Sequence, residues 1–225
     1  MRAGLLVGLV VVLAPRGAWA GEIQGLVRLE RAVPSREDLP VTKDKVACGE
    51  HVVDESLLVA AGRLANVVVT VEGAKASPAL HLTLDQKNCR FVPHVLVAPK
   101  GSTLEIVNSD PVLHNIHGWM GIRTRFNVPM PEPHERVPVV LDRSGTVEVR
   151  CDVHAWMSAY VAVVEGPAAV SGLDGTFAID EIPAGTYTLR AWHERLGERT
   201  LEVTIPAKGA AHVEITYGEG VTPGR

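Results

Sequence analysis

Helical periodicity is almost absent from this chain. Short alternating or β-branched runs bounded by Gly, Pro and Asp recur in its place. The runs are Ile23–Leu29, Asn66–Val71, Leu80–Leu84, His94–Ala98, Ser102–Val107 and Val137–Leu141. They continue with Thr146–Arg150, Tyr160–Val164, Thr176–Ile179, Thr186–Ala191, Thr200–Ile205 and His212–Thr216. Short strands at this spacing, punctuated by 21 Gly and 15 Pro, predict an all-β chain built of β-sandwiches. A turn of helix is expected near Asp54–Leu58, and the end of the chain, 218–225, reads as a frayed tail.

Composition narrows the function classes. With 46% hydrophobic and 21% charged residues the chain is not disordered, and 225 residues allow one large or two small domains. The formal charge of −4 argues against nucleic acid, which asks for a basic patch. Three cysteines are too few for a disulfide-rich scaffold, and the odd count leaves one thiol with other work.

Residues 1–20 read as a cleaved signal peptide. Arg2 is followed by the apolar run Leu5–Ala14 and the small-x-small site Ala18-Trp19-Ala20. The run is about half the ~20 residues that span a bilayer, and no later stretch is long enough to span. The expected location is periplasmic or otherwise exported, where cysteines can pair.

The sharpest motif is Cys151-x2-His154-x2-Met157, between the runs Thr146–Arg150 and Tyr160–Val164. It sets a thiolate, an imidazole and a thioether on one short loop. Two imidazoles, one thiolate and a weak axial Met make the trigonal site used for copper electron transfer. The second imidazole is expected from Asp110-Pro-Val-Leu-His114-Asn115-Ile-His117, at the end of the strand Ser102–Val107. Each residue alone reads as packing; the joint spacing points to metal.

The set Phe91-Val-Pro93, Pro99-Lys-Gly101, Asn108, His114-Asn115 and Cys151-x2-His154-x2-Met157 resembles the cupredoxins, above all the amicyanin and plastocyanin group. The resemblance covers about residues 78–165. It implies one type 1 copper ion held by His114, Cys151, His154 and Met157, with Asn115 tying the two ligand loops together. It also implies that the edge of His154 is the exposed electron port. His117, Trp119 and Trp156 depart from that pattern, as a docking patch, a shield or plain packing. His94 reads as a satisfied strand histidine, with a second metal site shared with His117 as a minority reading. His51, His81, His134 and His212 lack ligand spacing and read as surface residues.

With Cys151 assigned to metal, Cys48 and Cys89 are expected to pair in a disulfide; a second site with His51 lacks a compact spacing. The segments Gly172-Leu-Asp-Gly-Thr-Phe177 and Ile182-Pro-Ala-Gly-Thr-Tyr187 resemble the carboxypeptidase regulatory-like, transthyretin-like sandwich. Its opening strands are missing from residues 166–217 and are expected in residues 21–77, around a cupredoxin unit at 78–165. Three parts in tandem is the plainer alternative. In Ala191-Trp192-His193-Glu194-Arg195 a buried Trp with a polar turn is favoured over a partner surface. The function expected is a non-enzymatic one-electron carrier between transient redox protein partners. Copper binding or storage, with docking to an envelope or partner, is the alternative, and a metal-dependent oxidoreductase is the weakest reading.

Overall fold

The computed structural model describes residues 20–30 and 38–218. The expected signal segment, apart from Ala20, and the expected tail beyond Gly218 lie outside the described residues. The fold is all β. Among the described residues no helix is long and apolar enough to cross a membrane.

Four main sheets stack as two sandwiches. In the first, the sheet of Arg136–Val140, Thr103–Asn108, His81–Gln86 and Phe91–Val92 faces a five-stranded sheet. That second sheet runs Arg123–Met130, His114–Met120, Gly145–Arg150, Ser158–Val164 and Val95–Pro99. Leu84, Leu104, Ile106, Ile116, Val147, Val149 and Val161 fill the space between them. In the other sandwich Ala20–Leu29 lies between Thr176–Pro183 and Ala210–Tyr217, antiparallel to the first and parallel to the second. The sheet Ala168–Val170, Val68–Glu72, Gly185–His193 and Gly197–Ile205 packs on it over Ile23, Val27, Leu64, Val69, Leu189 and Tyr217. Val68, Val95 and Ala162, with Tyr160 and Trp192, join the two sandwiches.

Alternation explains most of these strands. Gly197–Ile205 exposes and buries by turns, as a half-covered strand should. Each sandwich also covers one strand glycine with a cross-strand Phe ring, Gly25 under Phe177 and Gly118 under Phe126. A Cβ would meet those rings at 2.1 and 2.4 Å, so only glycine lets the ring lie flat on the strand.

Two expectations are corrected. Asp54–Leu58 is not helical: the Ser56 N–H donates to Asp54 Oδ1 at 2.9 Å, an Asx turn that competes with helix. The helix is instead the single turn Lys45–Cys48. The hairpin His114–Met120 and Arg123–Met130 was not expected, so His114 opens a strand of its own rather than ending Thr103–Asn108. Within 21–77, the stretch 38–53 packs on the first core through Val41, Cys48 and Val52.

Candidate metal centre

His114 begins the strand His114–Met120, and Cys151 follows Gly145–Arg150, its antiparallel neighbour. The pairing brings the two residues to one end of the sheet. The Met157 N–H then donates to the His154 carbonyl at 2.9 Å, closing the Cys151–Met157 loop. As a result the Cys151 Sγ lies 3.9 Å from His114 Nδ1 and 3.8 Å from His154 Nδ1, and the two Nδ1 atoms are 2.9 Å apart. Both rings are fully buried and Cys151 nearly so. Met157 is buried in the same core.

Carboxylates set the tautomers. His114 Nε2 lies 3.0 Å from Asp110 Oδ2, and His154 Nε2 lies 2.9 Å from Asp44 Oδ2. An ionised carboxylate only accepts, so each Nε2 carries the proton and each Nδ1 turns a lone pair toward the sulfur. Asp110 is itself held as an anion: burial works against its charge, but the His114 ring and the Cys89 and Asn88 N–H groups outweigh it. The three donors therefore point their electron pairs at one another inside the core. A shared proton satisfies part of that field. Burial pushes the His114 pKa down, but Asp110 and Cys151 raise it to about 9. Burial pushes the Cys151 thiol up, but His114 and nearby backbone N–H groups bring it below its usual value. Burial, then the His114 charge, keep His154 below its usual value despite Asp44. A thiolate and two imidazole nitrogens at this spacing suit a soft or borderline cation in place of the proton.

Asn115 braces the site. Its Oδ1 accepts the Asp152 N–H at 2.6 Å, and its Nδ2 donates to Asp152 Oδ2 at 2.7 Å and to Asn127 Oδ1 at 3.0 Å. It thereby locks the residue after Cys151 to the strand of His114. Asp152 also meets His117 Nδ1 at 3.1 Å, and the His117 ring stacks on Trp119 with centroids 3.5 Å apart. Trp156 lies 5.0 Å from the His154 ring and donates to the Cys89 carbonyl at 3.0 Å.

Other readings sort out by partner. Cys48 and Cys89 form a disulfide. A second cluster, Cys89, Asp110 and His114, is compact, but its sulfur is in that bond and is not a free thiolate. His94 is engaged with the Ser158 carbonyl and Glu194, and His117 with Asp152 and Thr124, so the two serve separate networks. His193 is buried in the other sandwich. His51, His81, His134 and His212 are exposed. One implication of the resemblance is overturned: the His154 edge is not exposed. The segment carrying Asp44 covers it, and the ring has no exposed surface.

No family model and no curated protein matches the chain. Among solved structures, a purple cupredoxin from Nitrosopumilus maritimus aligns at 28% identity over 33% of this chain and 81% of that one, with TM-score 0.31. A copper-containing nitrite reductase from Thermus scotoductus SA-01 aligns at 24% over 51% of this chain, with TM-score 0.36, and the match spans 31% of that enzyme. Amicyanin from Paracoccus versutus aligns at 20% over 43% of this chain and 97% of that one, with TM-score 0.34. With overlaps this partial, the chemistry of the site stands on its own donors.

Two residues of the site escaped the sequence reading. Asp110 sits four residues before His114, a spacing that was visible but had no assigned role. Asp44 is 110 residues from His154, and no local pattern marks it.

Proposed function

We propose that this chain is an exported type 1 copper protein that carries single electrons between transient redox protein partners. The observation that carries the reading is the convergence of two imidazole lone pairs on one buried thiolate. Copper bound there would supply one-electron exchange between Cu(II) and Cu(I). His114, Cys151, His154 and Met157 would hold it. Asp110, Asp44 and Asn115 fix ring and loop orientation, so the donors need not move when the charge changes. The carrier unit is residues 78–165. Residues 21–30, 54–77 and 166–217 form a regulatory-like sandwich around it, while the stretch 38–53 packs on the carrier core.

With the His154 edge covered, the partner surface is the stacked pair His117 and Trp119, reached from Cys151 through Asp152. Trp156 is engaged with Cys89 and serves the interior instead.

The test is optical. Copper-loaded mature protein should show an intense visible thiolate-to-copper band, and Cys151→Ser should abolish it without changing the far-ultraviolet circular dichroism. A colourless, copper-loaded wild type overturns the reading. The closed site also favours copper storage. Tight Cu(I) binding with no attainable Cu(II) state would select that alternative.

A further inference from the structure

Residues 38–53 form a strap that belongs to neither main sheet of the first sandwich. The short strands Asp38–Pro40 and His51–Val53 pair as a hairpin around the single helical turn Lys45–Cys48. Val41, Cys48 and Val52 are plugged into the first core, with Leu39 and Ala47 packed beside them. The Cys48–Cys89 disulfide staples the strap to the body of the sandwich. Cys89 is joined to the metal centre twice over: its N–H donates to Asp110, and its carbonyl accepts from Trp156.

At the tip, Asp44 reaches His154. Its backbone is left-handed, at φ 54 and ψ 36. That conformation disfavours most side chains, and Asp is among the few non-glycine residues that adopt it with any frequency. The tip is further tied by the Ala47 and Cys48 N–H groups donating to the Asp44 carbonyl, and by Lys45 pairing with Glu50. Asp44 itself stays partly exposed, with 34% of its side-chain surface in contact with solvent, whereas His154 has none. The carboxylate therefore stands between the ring and water.

We propose that residues 38–53 are a disulfide-clamped lid over the metal centre, and that Asp44 is the positioning residue that holds His154 and seals its edge. The assignment of a metal to the site rests on the copper reading above; the lid itself does not. Two consequences follow from the connectivity. Metal must enter before the lid closes or while the disulfide is open. A redox partner cannot touch the His154 edge while the disulfide is intact.

The test is footprinting of metal-free, full-length mature protein with diethyl pyrocarbonate, read residue by residue by mass spectrometry. The reagent acylates an unprotonated imidazole nitrogen, forming an N–C bond and releasing ethanol and carbon dioxide. Exposed His212, outside the strap, is an internal reference, and His193, buried in the other sandwich, is an internal control. In wild type, His154 should react at least tenfold more slowly than His212. In the Cys48→Ser, Cys89→Ser double variant and in Asp44→Ala, His154 should rise to within a few-fold of His212 while His193 stays protected. Asp44→Asn keeps an acceptor oxygen and should restore protection. In copper-loaded protein, Asp44→Ala should also move the visible band, and Lys75→Ala, at an exposed position outside the strap, should not. Unchanged His154 protection in both opened variants, with unchanged circular dichroism, overturns the lid. If the double variant fails to fold, the contrast between Asp44→Ala and Asp44→Asn decides. A failed lid would leave a coloured copper protein intact. A colourless protein would remove the copper reading and leave the footprint standing.

Discussion

The two sandwiches spend burial differently. The first encloses His114, His154, Asp110, Asn108 and Gln86 among its apolar residues. Its interior holds donors at fixed positions, and each polar group costs desolvation unless it finds a partner. The other sandwich is cohesive. Its core is aliphatic around Tyr217 and Phe177, and its buried polar groups are Ser171 and His193. There the two ends of the described chain meet, Ala20–Leu29 running beside Ala210–Tyr217 in parallel. One core organises chemistry, and the other closes the chain.

That division predicts separable damage. Tyr217 is fully buried, and its hydroxyl donates to the Ala191 carbonyl at 3.0 Å. Tyr217→Ala leaves an aromatic-sized void and removes that hydrogen bond, and should cost about 3–5 kcal/mol in urea unfolding. The copper-loaded variant should keep the wild-type visible band under native conditions. A band that shifts or disappears there would show that the two cores form one cooperative unit, and the contrast between them would fail.

Acid should act on the second sandwich through His193. Burial, then the charges of His94 and Arg195, hold its pKa down to about 4. Its Nδ1 accepts the Arg195 N–H at 3.1 Å, and its Nε2 has no partner among the described residues. In the unfolded chain an ordinary histidine takes its proton near 6.5. Below that pH the unfolded state binds a proton that the folded state refuses. Stability is thus full above about 6.5 and is lost as pH falls toward 4, by up to about 3 kcal/mol. His94, at the junction, has the opposite sign. Burial lowers its pKa, but Glu194 outweighs that and raises it, so its contribution is full below about 6.5 and is lost as pH rises through its folded pKa. Urea midpoints of wild type and His193→Phe, compared from pH 7.5 to 4.5, isolate the His193 contribution. The variant should have a flatter acid limb. Parallel limbs would remove the role given to His193.

The same division decides what was legible in the sequence. Strands such as Gly197–Ile205 alternate cleanly, because one face meets an apolar core and the other meets water. His114–Met120 does not alternate: His, Asn, His and Gly118 stand where apolar residues would, and the register shifts at Gly118/Trp119. The hairpin was hidden by the very residues that make it useful. The convergence of Cys151 and His154 was readable because one loop carries them in order. Asp44 was not, because its contact with His154 exists only after a strap, a disulfide and a sheet end have come together. The expected exposed port failed for the same reason.

The smallest effect tests how the first core keeps its donors in place. Asn115 joins the strand of His114 to the residue after Cys151 by bonds of 2.6 and 2.7 Å to Asp152. Asn115→Ala removes both but leaves Cys151, His114 and His154 in place, and Asp152, which is exposed, can turn to water. The loss of stability should therefore be modest, about 1–2 kcal/mol. The effect on the site should be larger than that figure suggests, since the brace sets the angle between the thiolate and the first imidazole. The visible band should broaden or shift, while Tyr217→Ala, the more destabilising change, leaves it alone. If Asn115→Ala preserves the band and Tyr217→Ala alters it, geometry at the metal is being held by the whole fold rather than by this local brace, and the distinction between an organising core and a closing core is drawn in the wrong place.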